Sequence, residues 1–281
     1  MTRPDPEHGT TPPQRGPAQP DPGLAAPDSG LAALDPWRLE RFETAARFVH
    51  QLVPPTPLVP SPELSGHLGR AVYLKLENLQ QTGSFKVRGA AAYLSALAPA
   101  QARRGVVTCS SGNHGRAVAF VAGRLGIRAA VFVPEWVDPI KLAAIRSSGA
   151  DTHLVSGSYD DAEAAAWHFA RAEGRCFISP FDDPWVIAGQ GSLCFELLQQ
   201  LAVASGTLSG SGPRAGERVP ADASVPAPSG PAAFDVALAL SGGGLAGGVA
   251  AAGRALGAKL RVIGVSAANA DVMLRSLTPC M

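Results

Sequence analysis

The chain has 281 residues, with 24 Lys and Arg against 23 Asp and Glu, a formal charge of +1, and 46% of it is hydrophobic. That balance excludes a basic nucleic-acid tail and a highly charged disordered protein. The length leaves material for one or two domains with real cores.

In chain order, residues 1–35 are rich in Pro and poor in branched and aromatic residues. They cannot bury enough surface to offset the entropy of ordering them, so they read as a disordered tail. The tail also lacks the basic start and apolar run of a secretory signal. Asp35 as N-cap and Pro36 in the first turn announce a helix from about residue 37. Beyond it, short branched apolar runs alternate with amphipathic stretches, the pattern of parallel strands joined by helices in an α/β fold. The predicted strands are 71–77, 105–109, 129–133, 152–155, 176–179, 235–240 and 260–265. Ala117, Val118, Val121 and Leu125 form a helical stripe over 113–125, and Leu193, Cys194, Leu197, Leu198 and Leu201 form another over 186–201. Residues 205–231, dense in Pro and Gly, read as a disordered insertion at a loop, where extra length costs little.

The uncharged run from Val236 to Gly253 is long enough to span a membrane. It carries Ser241-Gly242-Gly243-Gly244 in its middle and no flanking anchors, so a strand, a turn and a helix describe it better. Cys109, Cys176, Cys194 and Cys280 are widely spaced and form no CxxC pair. This argues against disulfides and structural zinc and for a reducing cytoplasm.

In such folds ligands sit at the carboxyl ends of strands, where loops enter helix N-termini. Three predicted loops of this kind carry chemistry. Thr82-Gly83-Ser84-Phe85-Lys86 follows strand 71–77 and places a lysine at a helix start, where the dipole disfavours a second positive charge. Lys86 is either a solvated first-turn residue or an amine with a lowered pKa that condenses with a carbonyl. Ser110-Ser111-Gly112-Asn113-His114-Gly115 follows strand 105–109 and is either an ordinary N-cap or a receptor for a carboxylate. Ser241-Gly242-Gly243-Gly244-Leu245 lets the backbone approach a phosphate. Gly242, Gly244 and Gly247 also satisfy the GxGxxG dinucleotide pattern, which would make the chain a nicotinamide-dependent oxidoreductase. Ser266 stands where that pattern wants an acid for the ribose, which weakens it. Of the six histidines, His8, His50, His67, His114, His153 and His168, only His114 lies in a candidate site. The others read as surface or packing residues.

The ordered set Lys75-Leu76-Glu77-Asn78, Thr82 to Ala90, Ser111-Gly112-Asn113-His114, Pro180-Phe181-Asp182-Asp183-Pro184, Gly189-Gln190-Gly191 and the glycine loop resembles the pyridoxal-phosphate threonine/serine dehydratases of fold-type II, a group that includes serine racemase. The likeness runs from about Thr56 to Leu274, and the segments 115–119 and 240–244 are most similar to the dehydratases of hydroxyectoine utilisation.

The resemblance implies two open parallel-sheet domains of the tryptophan synthase β type. The smaller substrate-loop domain would be 71–155, and the larger cofactor-phosphate domain would be 36–70 with 156–281. It implies Lys86 as the Schiff-base lysine and Phe85 as the ring-stacking neighbour. Asn113 would bond the phenolic oxygen, and Gly242, Gly243, Gly244 and Leu245 would hold the phosphate. Ser110, Ser111, Gly112 and His114 would receive the substrate carboxylate, with Ser111 in the position of a second proton-transfer residue. The implied activity is that of a lyase converting a small β-hydroxy amino acid to a 2-oxo acid and ammonia, the alternative being a truncated, non-catalytic relative that keeps cofactor contacts at most. A homo-oligomer is expected if the fold is complete, with no nucleic-acid or membrane partner. The divalent cation site of racemase-like members is not expected, because Ser266 replaces its acid. The family fold continues beyond residue 281, so an incomplete larger domain with an unpaired sheet edge is expected, and Cys280 does not match the motif that partners the pyridine nitrogen.

Overall fold

The computed structural model describes residues 35–204, 233–270 and 272–277. The expected tail up to residue 34, the expected insertion and Cys280 lie outside the described residues. Helix α1 (Leu39–Leu52), strand β1 (Leu58–Pro60), helix α2 (Pro62–Leu68) and strand β2 (Tyr73–Lys75) open the fold. They lead through a short turn into α3 (Lys86–Ser95) and α4 (Pro99–Arg104). Strand and helix then alternate as β3 (Val106–Cys109), α5 (Asn113–Leu125), β4 (Ala129–Pro134), α6 (Pro139–Arg146), β5 (Asp151–Val155), α7 (Tyr159–Glu173) and β6 (Cys176–Phe177). The long α8 (Pro184–Ala204) follows, and β7 (Phe234–Ala239), α9 (Gly244–Ala255), β8 (Leu260–Val265) and α10 (Val272–Leu277) close the described chain.

The central sheet is parallel throughout, in the order β5-β4-β3-β6. Every residue of β3 and β4 is buried, because helices cover both faces. On one face Val107, Cys109, Ala130 and Phe132 pack under Ala162, Ala166 and Ala170 of α7. On the other, Val131 and Val133 meet Ala119 of α5 and Ile145 of α6. Since β6 belongs to this sheet, its layer runs on past residue 155. A second sheet pairs β7 and β8 in parallel with α9 as the crossover. The far edge of β8 has no partner among the described residues, and Ile263 and Val265 are 40% and 57% exposed.

Between the sheets, α1, α3, α8 and α9 pack into one apolar core with α8 at its centre. Glycines set how closely these helices approach. A Cβ on Gly189 of α8 would lie 2.5 Å from the Arg88 carbonyl oxygen, and one on Gly248 of α9 would strike that of Ile187.

Two expectations need correction. Residues 71–77 do not form a parallel strand: only Tyr73–Lys75 is extended, and it pairs antiparallel with β1, Leu58 opposite Lys75. Strand β1 is a three-residue piece among prolines, too short to show a period. Asp35 does not cap α1 either. Its carboxylate accepts from the Trp37 N–H at 3.0 Å in a preceding turn, and Arg38 occupies the N-cap position. The run 236–253 does divide into β7, a bend and α9, and no helix among the described residues is long and apolar enough to cross a membrane. Cys109, Cys176 and Cys194 are buried free thiols.

Candidate active site

Strands β3 and β6 are parallel neighbours, so the loops that follow them emerge side by side at the carboxyl end of the central sheet. The segment after β6 ties three elements together. The Ile178 carbonyl accepts from Thr108 Oγ1 at 2.8 Å and lies 3.3 Å from His114 Nε2. The Pro180 carbonyl accepts from Lys86 Nζ at 2.6 Å. Phe181 packs on the glycine bend: a Cβ on Gly242 would run into its ring, and one on Gly244 would lie 2.8 Å from its backbone oxygen. Four consecutive residues thus connect the lysine loop, the Ser110–His114 loop and the glycine bend.

Lys86 opens α3 with Phe85 at the N-cap position and no capping side chain. Its amine lies 5.4 Å from the centroid of the Phe85 ring. Burial lowers its pKa below the ordinary lysine value, the direction a condensing amine needs.

The loop after β3 is anchored by Ser110, whose N–H reaches the Phe132 carbonyl at 3.1 Å and whose Oγ accepts from the Gly112 N–H at 3.2 Å. Ser111 and Gly112 are half-buried and Asn113 is exposed at the first turn of α5, which has no side-chain cap. The unpaired first-turn N–H groups suit an anion. Gly115 lets this turn settle on the strand end, because a Cβ there would collide with the Ser110 carbonyl. His114 is placed beneath the loop, 3% exposed, with Nδ1 unpartnered. Burial first, and then the charge of Lys86, lower its pKa to about 3 against the pull of the Ile178 bond, so the ring is neutral. A neutral ring whose Nε2–H faces a carbonyl supports the loop from below, and what His114 offers an anion is its backbone N–H.

In the glycine bend, Gly243 has φ +84° and stands before the first residue of α9, again without a side-chain cap. Leu245, the second residue of α9, is half-buried and packs against the core. Gly247, the third glycine of the dinucleotide pattern, has open space where that pattern requires close packing; Gly248 makes the close approach instead. Ser266 Oγ donates to the Ala270 carbonyl at 2.6 Å.

Sequence reasoning missed a buried charge cluster behind the lysine loop. Arg88, fully buried, spends all five of its N–H donors on Glu77, Glu196 and Ser192 at 2.6–3.2 Å. Lys75 Nζ reaches Glu196 at 2.6 Å, the Thr56 carbonyl at 2.7 Å and Gln200 at 2.8 Å. His50 Nε2 lies 3.2 Å from Glu196. Burial opposes ionisation of Glu196, but Arg88, the His50 bond and Lys75 override it and hold the carboxylate below its usual range. Removing one partner from such a cluster costs roughly 3–5 kcal/mol. The available signal was Glu196 itself, a lone carboxylate inside the apolar run Leu193-Cys194-Phe195-Glu196-Leu197.

An amine with a lowered pKa, a ring beside it and an uncapped glycine bend on the same segment fit an aromatic aldehyde that carries a phosphate. The sequence pattern of the pyridoxal-phosphate dependent enzymes matches residues 49–280. The chain belongs to this family. Its place is in the fold-type II threonine/serine dehydratase branch, and the dinucleotide reading of Gly242, Gly244 and Gly247 is thereby set aside. It is 37% identical over 215 residues to an L-threonine ammonia-lyase of Geobacter sulfurreducens, covering 76% of this chain and 46% of that enzyme. The fold superposes with a TM-score of 0.69 on threonine deaminase isoform 2 of Solanum lycopersicum, at 30% identity over 85% of this chain and 62% of that one. Against serine racemase of Dictyostelium discoideum the score is 0.72, at 28% identity over 86% of this chain and 70% of that one. The chain spans 46–63% of the length of three curated relatives that it matches.

Proposed function

We propose that this family member is a pyridoxal-phosphate lyase that removes water and then ammonia from a small β-hydroxy amino acid of the serine or threonine type. The observation that carries this reading is the hold of Pro180 and Phe181 on both the Lys86 amine and the glycine bend, which supports a carbonyl-reactive nitrogen and a phosphate cradle served by one short segment.

In this reading Lys86 holds the cofactor and Phe85 flanks its ring. Asn113 meets the phenolic oxygen, and the backbone N–H groups of Gly242, Gly243, Gly244 and Leu245 take the phosphate. Bound pyridoxal phosphate supplies an electron sink for negative charge at the amino acid's α-carbon. The Lys86 amine, whose pKa burial lowers, receives the α-proton at Nζ. Backbone N–H groups of the Ser110–His114 loop, with the Ser110 and Ser111 hydroxyls, orient the carboxylate, and Ser111 Oγ stands as a second proton-transfer group. His114 stays neutral under the loop and adds no charge of its own.

The smaller unit would comprise 71–155 joined by β6, the larger one 36–70 with the rest of 156–281, and a complete fold would assemble as a homo-oligomer in the cytoplasm. A substrate from hydroxyectoine breakdown is supported by the motif likeness at 115–119 and 240–244.

The test is reconstitution with pyridoxal phosphate, borohydride reduction and peptide mapping, followed by measurement of 2-oxo acid release from serine and threonine. Label on Lys86 with oxo-acid release is the expected result. Label without release identifies a non-catalytic relative, and label elsewhere or nowhere defeats the assignment of Lys86.

A further inference from the structure

The loop that carries Lys86 is closed by a side-chain fork. Glu77 opens a short turn at one end, Arg88 sits in the first turn of α3 at the other, and both Glu77 oxygens accept from Arg88 at 2.8 Å. Between them the loop makes few bonds of its own. Gln80 Nε2 donates to the Pro54 carbonyl at 2.9 Å and the Gly83 N–H to that of Gln80 at 2.7 Å, while the buried Thr82 and Ser84 hydroxyls are unpartnered. Arg88 lies two positions after Lys86, and two residues turn an α-helix by about 200°, so the two side chains leave the same turn in nearly opposite directions. One enters the core and the other reaches Pro180. The guanidinium also grips Glu196 of α8 through two bonds of 2.6 and 2.9 Å. That ties the turn to the helix that follows the Pro180 segment. A lysine at position 88 would offer three donors on a flexible stem and could not reproduce the double fork.

We propose that Arg88 is a positioning residue for the Lys86 amine: held by Glu77 and Glu196, it pins the first turn of α3 so that Nζ emerges beside the Pro180 carbonyl instead of moving with the loop. The inference rests on the reading of Lys86 as the cofactor lysine for its functional meaning, but its test needs no cofactor.

The groups facing Lys86 are the Pro180 carbonyl after β6, the Phe85 ring, and neutral His114 on α5. The full chain is labelled with acetic anhydride across a pH series, and modification of the Lys86 peptide, normalised to its high-pH plateau, is read by mass spectrometry beside the melting temperature. In the parent chain the labelling midpoint is expected below the ordinary lysine value of 10.5. Arg88→Lys and Glu77→Gln are expected to raise it by about one pH unit, roughly a tenfold fall in normalised labelling at neutral pH. Lys75→Gln, which removes a different partner of Glu196 outside the loop, is expected to lower the melting temperature and leave the midpoint in place.

A parent midpoint for both loop variants with a lowered melting temperature makes Arg88 merely structural and overturns the proposal, as does an equal shift in Lys75→Gln. Should Arg88→Lys fail to fold, Glu77→Gln decides alone, because it keeps the bonds to Glu196. Failure of borohydride to fix the cofactor on Lys86 in the parent chain defeats the lyase reading and leaves this result standing.

Discussion

The two sheets share one plan, parallel strands joined by a helix, yet they support the site unequally. The central sheet is covered on both faces by α5, α6 and α7, and its inner strands β3 and β4 are buried throughout. The β7–β8 pair has α9 as its crossover and leaves Ile263 and Val265 substantially exposed. Two strands alone are marginal in water, so this pair depends on what packs against it. The loop at Ser110–His114 therefore stands on a stiff platform, while the glycine bend stands on a ribbon held in place by the contact of α9 with α8 and by Phe181. Burial is thus complete beneath the end proposed for the carboxylate and partial beneath the end proposed for the phosphate.

The largest expected effect leaves both sheets intact. Lys86→Ala should lower oxo-acid release by at least about a thousandfold, since general-base catalysis and the covalent anchor are lost together. Its urea midpoint should be no lower than that of the parent, and a large loss of stability would mean that the lysine is a structural residue.

Truncation of Phe132 breaks the platform. The ring is 5% exposed and stacks on His153 at 4.4 Å, so Phe132→Ala should cost about 3–5 kcal/mol in equilibrium unfolding. The same truncation on the ribbon, Ile263→Ala at 40% exposure, should cost under about 1 kcal/mol. Equal losses at the two positions would erase the proposed difference in stiffness.

Acid probes the platform through His114. A folded-state pKa of about 3 against 6.5 means that the unfolded chain takes up the proton first as the pH falls. The stability linked to this ring is complete above 6.5 and is lost on the way down to about 3. His114→Asn should flatten that limb of the urea midpoint against pH, and an unchanged limb would place the titration elsewhere.

At the phosphate end, Gly242→Ala should weaken cofactor binding by about tenfold, because the new methyl displaces the Phe181 ring. Adding Phe181→Ala should restore much of that loss. If the double variant binds no better than the single, the ring does not shape the bend.

The strands β3, β4, β5, β7 and β8 were legible as short branched apolar runs, and the helices α5 and α8 by the helical spacing of their apolar residues. The glycine bend was legible because consecutive glycines let the backbone approach an anion closely, and the other two loops because a lysine and a run of hydroxyls sit at helix starts. Strand β1 was not, because three residues between prolines carry no period, and the cap of α1 was misplaced because Asp35 satisfies a turn of its own. Sequence by itself determined the alternation of elements and the chemistry of the loops between them, both of which depend on residues close together in the chain. Only the tertiary structure decided that Ile178, Pro180 and Phe181 join the loops, that His114 lies beneath one of them, and that Glu77, Arg88 and Glu196 close the lysine loop. Those contacts join residues up to 108 positions apart, and hydrogen bonds and ion pairs away from water act more strongly than in solvent, which no local pattern records.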